Sequence, residues 1–178
     1  GAFVLDLGGF SPLLYAFDDR EYILDLLESV TGSRLTYCYF RFGGVANDID
    51  DAFITGTRAF IKRMRRRLVK YHALVTKNII IMQRLKDIGF VPAEMCRKYG
   101  ATGPVARGAG IDYDVRRHEP YSVYDRFTFD VPVYTEADSM ARYMVRMDEI
   151  EQSLRIIEQA LDQLPDGPVM APKVPKNI

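Results

Sequence analysis

The sequence predicts a mainly α protein, an antiparallel helical bundle with an irregular glycine-rich loop and little β-structure. Apolar residues repeat at alternating spacings of three and four over 140–164, which is typical of a heptad seam. A second apolar stripe of helical period covers 50–76. A third, shorter stripe covers 22–30 between capping signals. Helices with one apolar face must bury that face against one another, which favours a bundle.

The N-terminal part is expected to begin with a helix over 3–17 that glycines and a proline weaken. Asp18, with Glu21 three residues later, has the spacing of a helix-capping box and predicts a new helix start. Gly32 lies where a glycine commonly ends a helix. Residues 35–42 are rich in aromatic and β-favouring side chains and are expected to be extended.

Three helices are expected in the middle of the chain, over 50–76, 79–88 and 93–99. Pro92 precedes the last of them, at a position suited to a first helical turn. The long helix over 50–76 carries a basic run, for which a solvated face is favoured over an anion-binding patch. That run consists of Lys62, Arg63, Arg65, Arg66, Arg67 and Lys70.

The final helix is expected from Thr135, which forms a capping-box pattern with Asp138, to the stop at Pro165. Its seam should be buried and comprises Met140, Tyr143, Met147, Ile150, Leu154, Ile157, Leu161 and Leu164. We therefore predict a single helical domain over 1–164. Residues 165–178 would be a proline-rich C-terminal extension.

Composition excludes several functional classes. The 24 basic residues balance the 24 acidic ones, so charge does not indicate nucleic-acid binding. No apolar run approaches the roughly 20 residues needed to span a bilayer. Cys38 and Cys96 lie far apart in the sequence and are expected to be free thiols. No dinucleotide fingerprint is present, and we expect no metal site.

The most informative stretch is 99–116, which places four glycines, a proline and several charges between two helical regions. Gly103 and Gly110 permit tight backbone paths. Arg107, Asp114 and Arg116 can bridge such a path with charge-assisted hydrogen bonds. From these residues alone, a well-ordered structural loop is as good an interpretation as a functional one.

The same stretch carries a family resemblance. YGATGPVARGAGIDYDVRR, followed by PYSVYDRFTFDVPV and RYMVRMDEIEQSLRIIEQAL, resembles the D subunit of NADH:quinone oxidoreductase, which is the large peripheral-arm subunit of respiratory complex I. LDLGGFSPLLYAF, DREYILDLLESVTGSR and YFRFGGVANDI resemble the same family in the same order. That family is related to the large subunit of nickel–iron hydrogenases. The resemblance implies an internal fragment of that large-subunit fold.

The resemblance also implies roles for residues near the N-terminus. Asp6 matches an aspartate that lies behind the quinone-head-group histidine, although the residue pattern alone favours a solvated carboxylate. The family's histidine and its partner tyrosine are absent here, so this fragment holds no complete catalytic site. Arg34, Thr36 and Arg41 belong to a segment near an iron–sulfur cluster whose cysteines come from a partner, the B subunit. The alternative for both arginines is surface salt bridges.

Thr36 departs from the family pattern, because a histidine usually stands at its position. A hydrogen-bonding or cationic group beside a cluster raises the reduction potential of that cluster. Threonine at this position indicates a shifted potential or a divergent homologue. It also mildly favours a different member of the wider group, the large subunit of an energy-converting hydrogenase.

The resemblance implies an electron-transfer subunit in which electrons from NADH pass through iron–sulfur clusters to quinone, coupled to proton translocation. Quinone would be held between the D and B subunits. The fragment would supply the helical body and one wall of the quinone cavity. The alternatives are a large-subunit fragment of a membrane-bound nickel–iron hydrogenase and a non-catalytic helical interaction module. A hydrogenase would need two C-x-x-C pairs outside the present ends.

Further expectations concern cofactors, partners and location. The fragment itself is expected to bind no cofactor and to be inactive alone. Quinone would lie at the interface of the D and B subunits, and the iron–sulfur cluster would lie in the partner. The B and C subunits and the H subunit of the membrane arm are the expected partners, on the cytoplasmic side of the inner membrane as a peripheral part of the complex. We expect no nucleic acid, and self-association of the isolated chain through exposed apolar patches.

Overall fold

The computed structural model describes residues 1–173 and is mainly helical, which confirms the predicted fold class. In chain order the helices are α1 (Ala2–Asp6), α2 (Phe10–Thr31), α3 (Asp51–Tyr71), a π-helix (His72–Thr76), α4 (Ile79–Leu85), α5 (Ala93–Tyr99), α6 (Gly103–Arg107), α7 (Val115–His118), a 3₁₀ turn (Tyr124–Arg126) and α8 (Ser139–Asp162). The strands are β1 (Phe40–Arg41) and β2 (Gly44–Val45). The described residues form two compact units.

The first unit contains residues 1–66 and the described residues from Gln163 onward. Its helix α2 begins at Phe10, so the predicted start at Asp18 is wrong. Pro12 lies in the first turn of α2, where a missing backbone N–H costs no helical hydrogen bond, and the helix therefore begins before Asp18. The predicted end is confirmed, because Gly32 takes a left-handed conformation with φ of +74°.

A charged contact joins α2 to α3 within this unit. Arg63 on α3 donates from Nη2 to Asp18 Oδ2 at 2.6 Å and from Nε to Asp19 Oδ1 at 3.3 Å. Its guanidinium also lies 3.9 Å from the ring centre of Tyr22. Asp19 is buried, so Arg63 supplies a counter-charge that such a carboxylate requires.

A short hairpin follows α2 in the first unit. Strands β1 and β2 pair antiparallel, with Phe40 opposite Val45, and the extended segment is much shorter than the predicted 35–42. The C-terminal tail joins this hairpin, since the Val45 N–H donates to Val169 O at 3.0 Å and the Ala171 N–H donates to Gly43 O at 2.8 Å. Residues 174–178 of the predicted extension lie outside the described residues. The predicted division into 1–164 and 165–178 stays a prediction.

The second unit contains residues 67–162. Helix α4 ends at Leu85, three residues before the predicted end, and α5 follows Pro92 as predicted. A small core cluster consists of Cys96, Ala109 and Ala137. This cluster ties α5 to the glycine-rich stretch and to the segment just before α8.

Helix α8 begins at Ser139, so the predicted capping box from Thr135 is wrong. The buried carboxylate of Asp138 caps the helix instead, because its Oδ1 accepts a hydrogen bond from the Ala141 N–H at 2.7 Å. Its Oδ2 accepts a second bond from the Asp87 N–H at 2.8 Å. One side chain therefore fixes both the start of α8 and the start of the loop after α4.

The seam of α8 is buried only in part. Tyr143, Met147 and Leu154 are buried as predicted, whereas Ile157 is 37% exposed and Leu164 lies beyond the end of the helix and is 44% exposed. Val145 is fully buried although it lies off the seam. Helices α4 and α6 both contact α8, so more than one of its faces is covered.

Candidate functional site

The predicted loop residues converge in an arginine–carboxylate cluster made of Arg107, Asp114, Arg116 and Glu149. Arg107, at the end of α6, donates from Nη1 to Tyr113 O at 2.9 Å and from Nη2 to the carboxylate of Glu149 on α8. Arg116 grips Asp114 with two hydrogen bonds, from Nε at 3.0 Å and from Nη2 at 2.7 Å. Arg107 Nη1 lies 4.0 Å from Asp114 Oδ2, which links the two pairs.

The cluster is largely buried, and its opposite charges keep one another ionised. Arg107 and Asp114 are 7% and 6% exposed. The hydrogen bond from Arg116 lowers the pKa of Asp114 below its usual range, against the opposing effect of burial. The same pair raises the pKa of Arg116, whose guanidinium also lies 5.0 Å from the ring centre of Phe129. Asp114 and Arg116 are therefore both charged at neutral pH.

The backbone around the cluster needs glycine. Gly103 and Gly110 have φ of +63° and +85°, in the left-handed region that side chains rarely adopt. The Arg107 carbonyl accepts the Tyr134 N–H at 2.9 Å, and the Tyr134 hydroxyl donates to Asp148 Oδ2 at 2.7 Å. Burial and this hydrogen bond raise the pKa of Tyr134 to about 12. The arrangement braces a loop and presents no nucleophile, which favours a structural role.

Asp6 is the last residue of α1 and is exposed. Its side chain makes no hydrogen bond or ion pair with any residue from 1 to 173 that the structure describes. The neighbouring Phe3, Leu5 and Phe10 are 51%, 40% and 60% exposed. The carboxylate and these three apolar side chains nearby in the sequence are thus all exposed, and the carboxylate is open to a group from outside the described residues.

Arg34 is bound by carboxylates of its own unit. It contacts Glu21, Asp25 and Glu28, which follow one another along a single face of α2, and all three are exposed. These contacts raise the pKa of the Arg34 guanidinium, with the hydrogen bond to Asp25 as the largest cause. The interpretation of Arg34 as a surface salt-bridge residue therefore matches its geometry.

Thr36 and Arg41 lie on the segment that leads to and forms the hairpin. Thr36 has φ of +54°, which is a strained conformation for a β-branched residue, and its hydroxyl donates to Leu35 O at 2.7 Å. Arg41 donates from Nη1 to Cys38 Sγ at 2.9 Å and to Phe40 O at 3.2 Å. Phe40 is 83% exposed, so the hairpin presents an aromatic ring beside a cation.

The structure brings together Arg107, Asp114 and Arg116, and it does not join Asp6 to Arg34 by any hydrogen bond or ion pair among the described residues. Sequence reasoning missed Glu149 as the partner of Arg107, and no local pattern indicates that pairing. It also missed the three carboxylates of Arg34. Their spacing of four and three residues on a predicted helix is a usable signal.

The described residues offer no ligand set for a metal centre. Among residues 1–173, no group of three or more His, Cys, Asp and Glu side chains is placed to hold a metal ion. Cys38 is exposed and Cys96 is buried in the core cluster. An iron–sulfur cluster requires several converging thiolates, so the described part of this chain does not fit one as its holder. None of the helices described here is long and apolar enough to cross a bilayer.

Comparison with known proteins shows which family this chain resembles in sequence. A family described as "Respiratory-chain NADH dehydrogenase, 49 Kd subunit" matches residues 6–178. The D subunit of NADH-quinone oxidoreductase from Desulfotalea psychrophila is 72% identical over the whole chain, which covers 48% of that relative. The D 2 subunit of NADH-quinone oxidoreductase from Opitutus terrae is 66% identical over the whole chain, which covers 45% of that relative.

The D subunit of NADH-quinone oxidoreductase from Syntrophobacter fumaroxidans is 57% identical over the whole chain, which covers 48% of that relative. The chain thus spans about half the length of the curated relatives it matches.

Proposed function

The chain belongs to the 49 kDa subunit family of the respiratory-chain NADH dehydrogenase, and from that premise we propose that it forms part of the quinone-reducing subunit of an NADH:quinone oxidoreductase. In this proposal electrons from NADH pass through iron–sulfur clusters to quinone, coupled to proton translocation. The chain supplies the helical body and, with Asp6, one wall of the quinone cavity. Catalysis belongs to the assembly, and the fragment alone is inactive.

The observation that carries the proposal is the environment of Asp6. Asp6 is an exposed carboxylate in a stretch that contains exposed apolar residues, and its side chain has no hydrogen-bond or ion-pair partner among the described residues. Such a stretch suits a wall that receives an apolar ligand and a polar partner group. A carboxylate of this kind can orient a histidine and stabilise its protonated form. The proposed role of Asp6 is to hold such a histidine, supplied by the full-length subunit, where it donates a proton to reduced quinone.

Arg34, Thr36 and Arg41 are proposed to lie near the iron–sulfur cluster of the partner B subunit. The exposed hairpin supports this role, because it offers Arg41 and two aromatic side chains, Phe40 and Phe42, to a partner surface. Thr36 replaces the family's histidine in a backbone conformation with positive φ, which histidine adopts more readily than a β-branched residue. We propose that Thr36 shifts the potential of the neighbouring cluster.

The glycine-rich loop has a bracing role in this proposal. Arg107, Asp114 and Arg116 fix the loop to α8 through the arginine–carboxylate cluster, and Gly103 and Gly110 give the loop its backbone path. A rigid loop of this kind keeps the surrounding surface in one shape for its neighbours in the assembly.

The proposed partners are the B and C subunits of complex I and the H subunit of its membrane arm. Quinone is bound where the D and B subunits meet. The proposed location is peripheral, on the cytoplasmic side of the inner membrane. The hydrogenase alternative is not favoured, because each relative described above is named as the D subunit of an NADH-quinone oxidoreductase. The isolated chain is proposed to behave as a non-catalytic helical interaction module. Its self-association stays a prediction.

The test is Asp6→Asn in the full-length subunit, assembled in its complex. Quinone reduction should slow by roughly an order of magnitude, because the loss of a charge beside a proton-donating histidine lowers that histidine's pKa. NADH oxidation by an artificial acceptor such as ferricyanide should be unchanged. Both rates are measured on the same purified membranes.

Asp112→Asn is the matched control, since Asp112 is also exposed but lies in the second unit. It should change neither rate. Normal quinone reduction in a fully assembled Asp6→Asn complex would overturn the role of Asp6. A parallel fall of both activities would instead indicate that Asp6 serves assembly.

A further inference from the structure

A cleft in the second unit shares Arg116 with the arginine–carboxylate cluster, and its other lining residues have no part in the role proposed above. Its volume is about 370 Å³, within the range of protein binding pockets, and it is partly open to solvent. Two arginines, aromatic rings and small polar groups share its lining. The lining residues are Arg116, Arg117, Pro120, Tyr124, Asp125, Phe127, Thr128 and Phe129.

One wall of the cleft is fixed to α8 by side-chain amides. Gln159 binds both backbone groups of Thr128, accepting the N–H at Oε1 and donating from Nε2 to the carbonyl, each at 2.8 Å. Gln152 Oε1 accepts the Asp130 N–H at 3.0 Å, and Arg155 pairs with the Asp130 carboxylate at 2.7 Å. These bonds hold the backbone of an otherwise irregular segment against α8, so this wall of the cleft is fixed in place.

The two arginines of the cleft differ in how many of their N–H donors are free to bind a ligand. Arg116 is committed to Asp114, as described above. Arg117 is exposed, and within residues 1–173 its guanidinium makes one hydrogen bond, from Nη1 to Phe129 O at 3.3 Å. A guanidinium has five N–H donors and prefers to grip a carboxylate with two of them. Arg117 therefore retains the donors for such a grip.

The other lining residues limit which chemical group can accompany a carboxylate bound by Arg117. Tyr124 packs edge-on against Tyr121, with ring centres 5.0 Å apart, and against Phe127 at 6.3 Å, which makes an aromatic wall. Asp125 also lines the cleft and has no ion pair among the described residues, so it repels a second anion. The occupant that fits carries one carboxylate and an adjoining apolar group, and it is not a polyanion.

We propose that this cleft is a docking site for a segment of a partner protein that presents a carboxylate side chain to Arg117 and an apolar side chain to the wall formed by Tyr124 and Phe127. Aromatic residues and arginine are the side chains that dominate protein–protein contacts, and a half-open cleft suits a segment that enters from a neighbouring surface. That the partner is another subunit of the oxidoreductase rests on the proposed function.

The test uses the full-length subunit in its purified assembly. A photo-reactive phenylalanine analogue, p-benzoyl-phenylalanine, replaces Phe127, and mass spectrometry maps the cross-linked segment. We expect a cross-link to a segment of another chain that contains an aspartate or glutamate. Adding Arg117→Glu should reduce the yield about tenfold or more, and changing the mapped acidic residue to lysine should restore it. Arg97→Glu, a reversal of an exposed arginine on α5, should leave the yield unchanged.

Arg117→Gln serves as a second variant, since it removes the charge without adding a repulsive one and should give an intermediate yield. Three results would each overturn the docking site. The cross-link could be confined to the subunit's own chain, the mapped segment could lack an acidic residue, or the cross-linking yield could stay unchanged in Arg117→Glu. A charge-restored cross-link to a protein outside the oxidoreductase would uphold the cleft and overturn the claim that the partner is another subunit of the oxidoreductase. The Asp6→Asn assay tests that function independently.

Discussion

Two groups of arginine–carboxylate pairs differ in their environment, since one is largely buried and the other is exposed. In the second unit, Arg107 and Asp114 are buried, and Arg107 reaches Glu149, which is 42 residues away in the sequence. In the first unit, Arg34 meets three exposed carboxylates of the helix just before it. A buried charge without its partner is costly, whereas exposed ion pairs are screened by water and salt. The first group should therefore hold the fold, and the second should contribute little.

Arg107→Met should have the largest effect. Methionine preserves much of the side chain's volume but leaves the Glu149 carboxylate and the Tyr113 carbonyl without their donor. Breaking a buried ion pair on one side costs about 3–5 kcal/mol. Urea unfolding of the purified chain, followed by circular dichroism, should show this as a large shift of the midpoint.

The double variant Arg107→Met with Glu149→Leu is the matched control. It removes both charges, so much of the lost stability should return, because an apolar pair can replace a buried ion pair at little cost. A single variant that unfolds at the wild-type urea concentration would show that the buried cluster does not hold the fold. A double variant less stable than the single one would show that packing, not charge, dominates.

The comparison also shows what sequence reasoning can find. The end of α2 at Gly32 and the start of α5 after Pro92 are predictable, because a glycine cap and a first-turn proline act locally. Glu149 is not predictable as a partner, since helical period shows which face is apolar but not which distant loop lies on it. The capping-box pattern gives Asp138 the wrong role for the same reason. Its second bond, to the Asp87 N–H, is tertiary.

The candidate site divides along the same line. The glycine-rich and charged stretch 99–116 indicates that Arg107, Asp114 and Arg116 interact, and the structure shows that they do. The roles proposed for Asp6 and Arg41 come from the family resemblance alone, and these residues make no contact among the described residues that would predict those roles. Residues that act on groups outside the chain leave no local pattern that periodicity or capping rules can detect.

Asp114→Asn should have an intermediate effect that depends on pH. Arg116 holds the pKa of Asp114 below the ordinary value of about 3.9, so the unfolded chain takes up the proton first as the pH falls. The stability that Asp114 contributes is full above about pH 5 and is lost as the pH falls through its folded pKa. The difference in unfolding free energy between wild type and variant should therefore shrink in acid.

Urea unfolding at several pH values between about 7 and about 3 would measure that difference. Asp112→Asn is the control on the same loop, because Asp112 is exposed and its removal should leave the pH dependence of wild type intact. A difference between Asp114→Asn and wild type that stays constant over the whole acid range would contradict the charge-dependent role. It would indicate that Asp114 acts only as the cap of α7, where its Oδ1 accepts the Arg116 N–H.

Arg34→Met should have the smallest effect on the isolated chain. Its carboxylate partners are exposed, and water solvates them when the guanidinium is removed, so no buried charge is left behind. The urea midpoint should match wild type within error at physiological salt. A loss comparable to that of Arg107→Met would erase the distinction between the two groups. An unchanged midpoint combined with slower quinone reduction in the full assembly would instead show that Arg34 serves a partner, because a residue that contributes nothing to its own fold acts through what it contacts outside it.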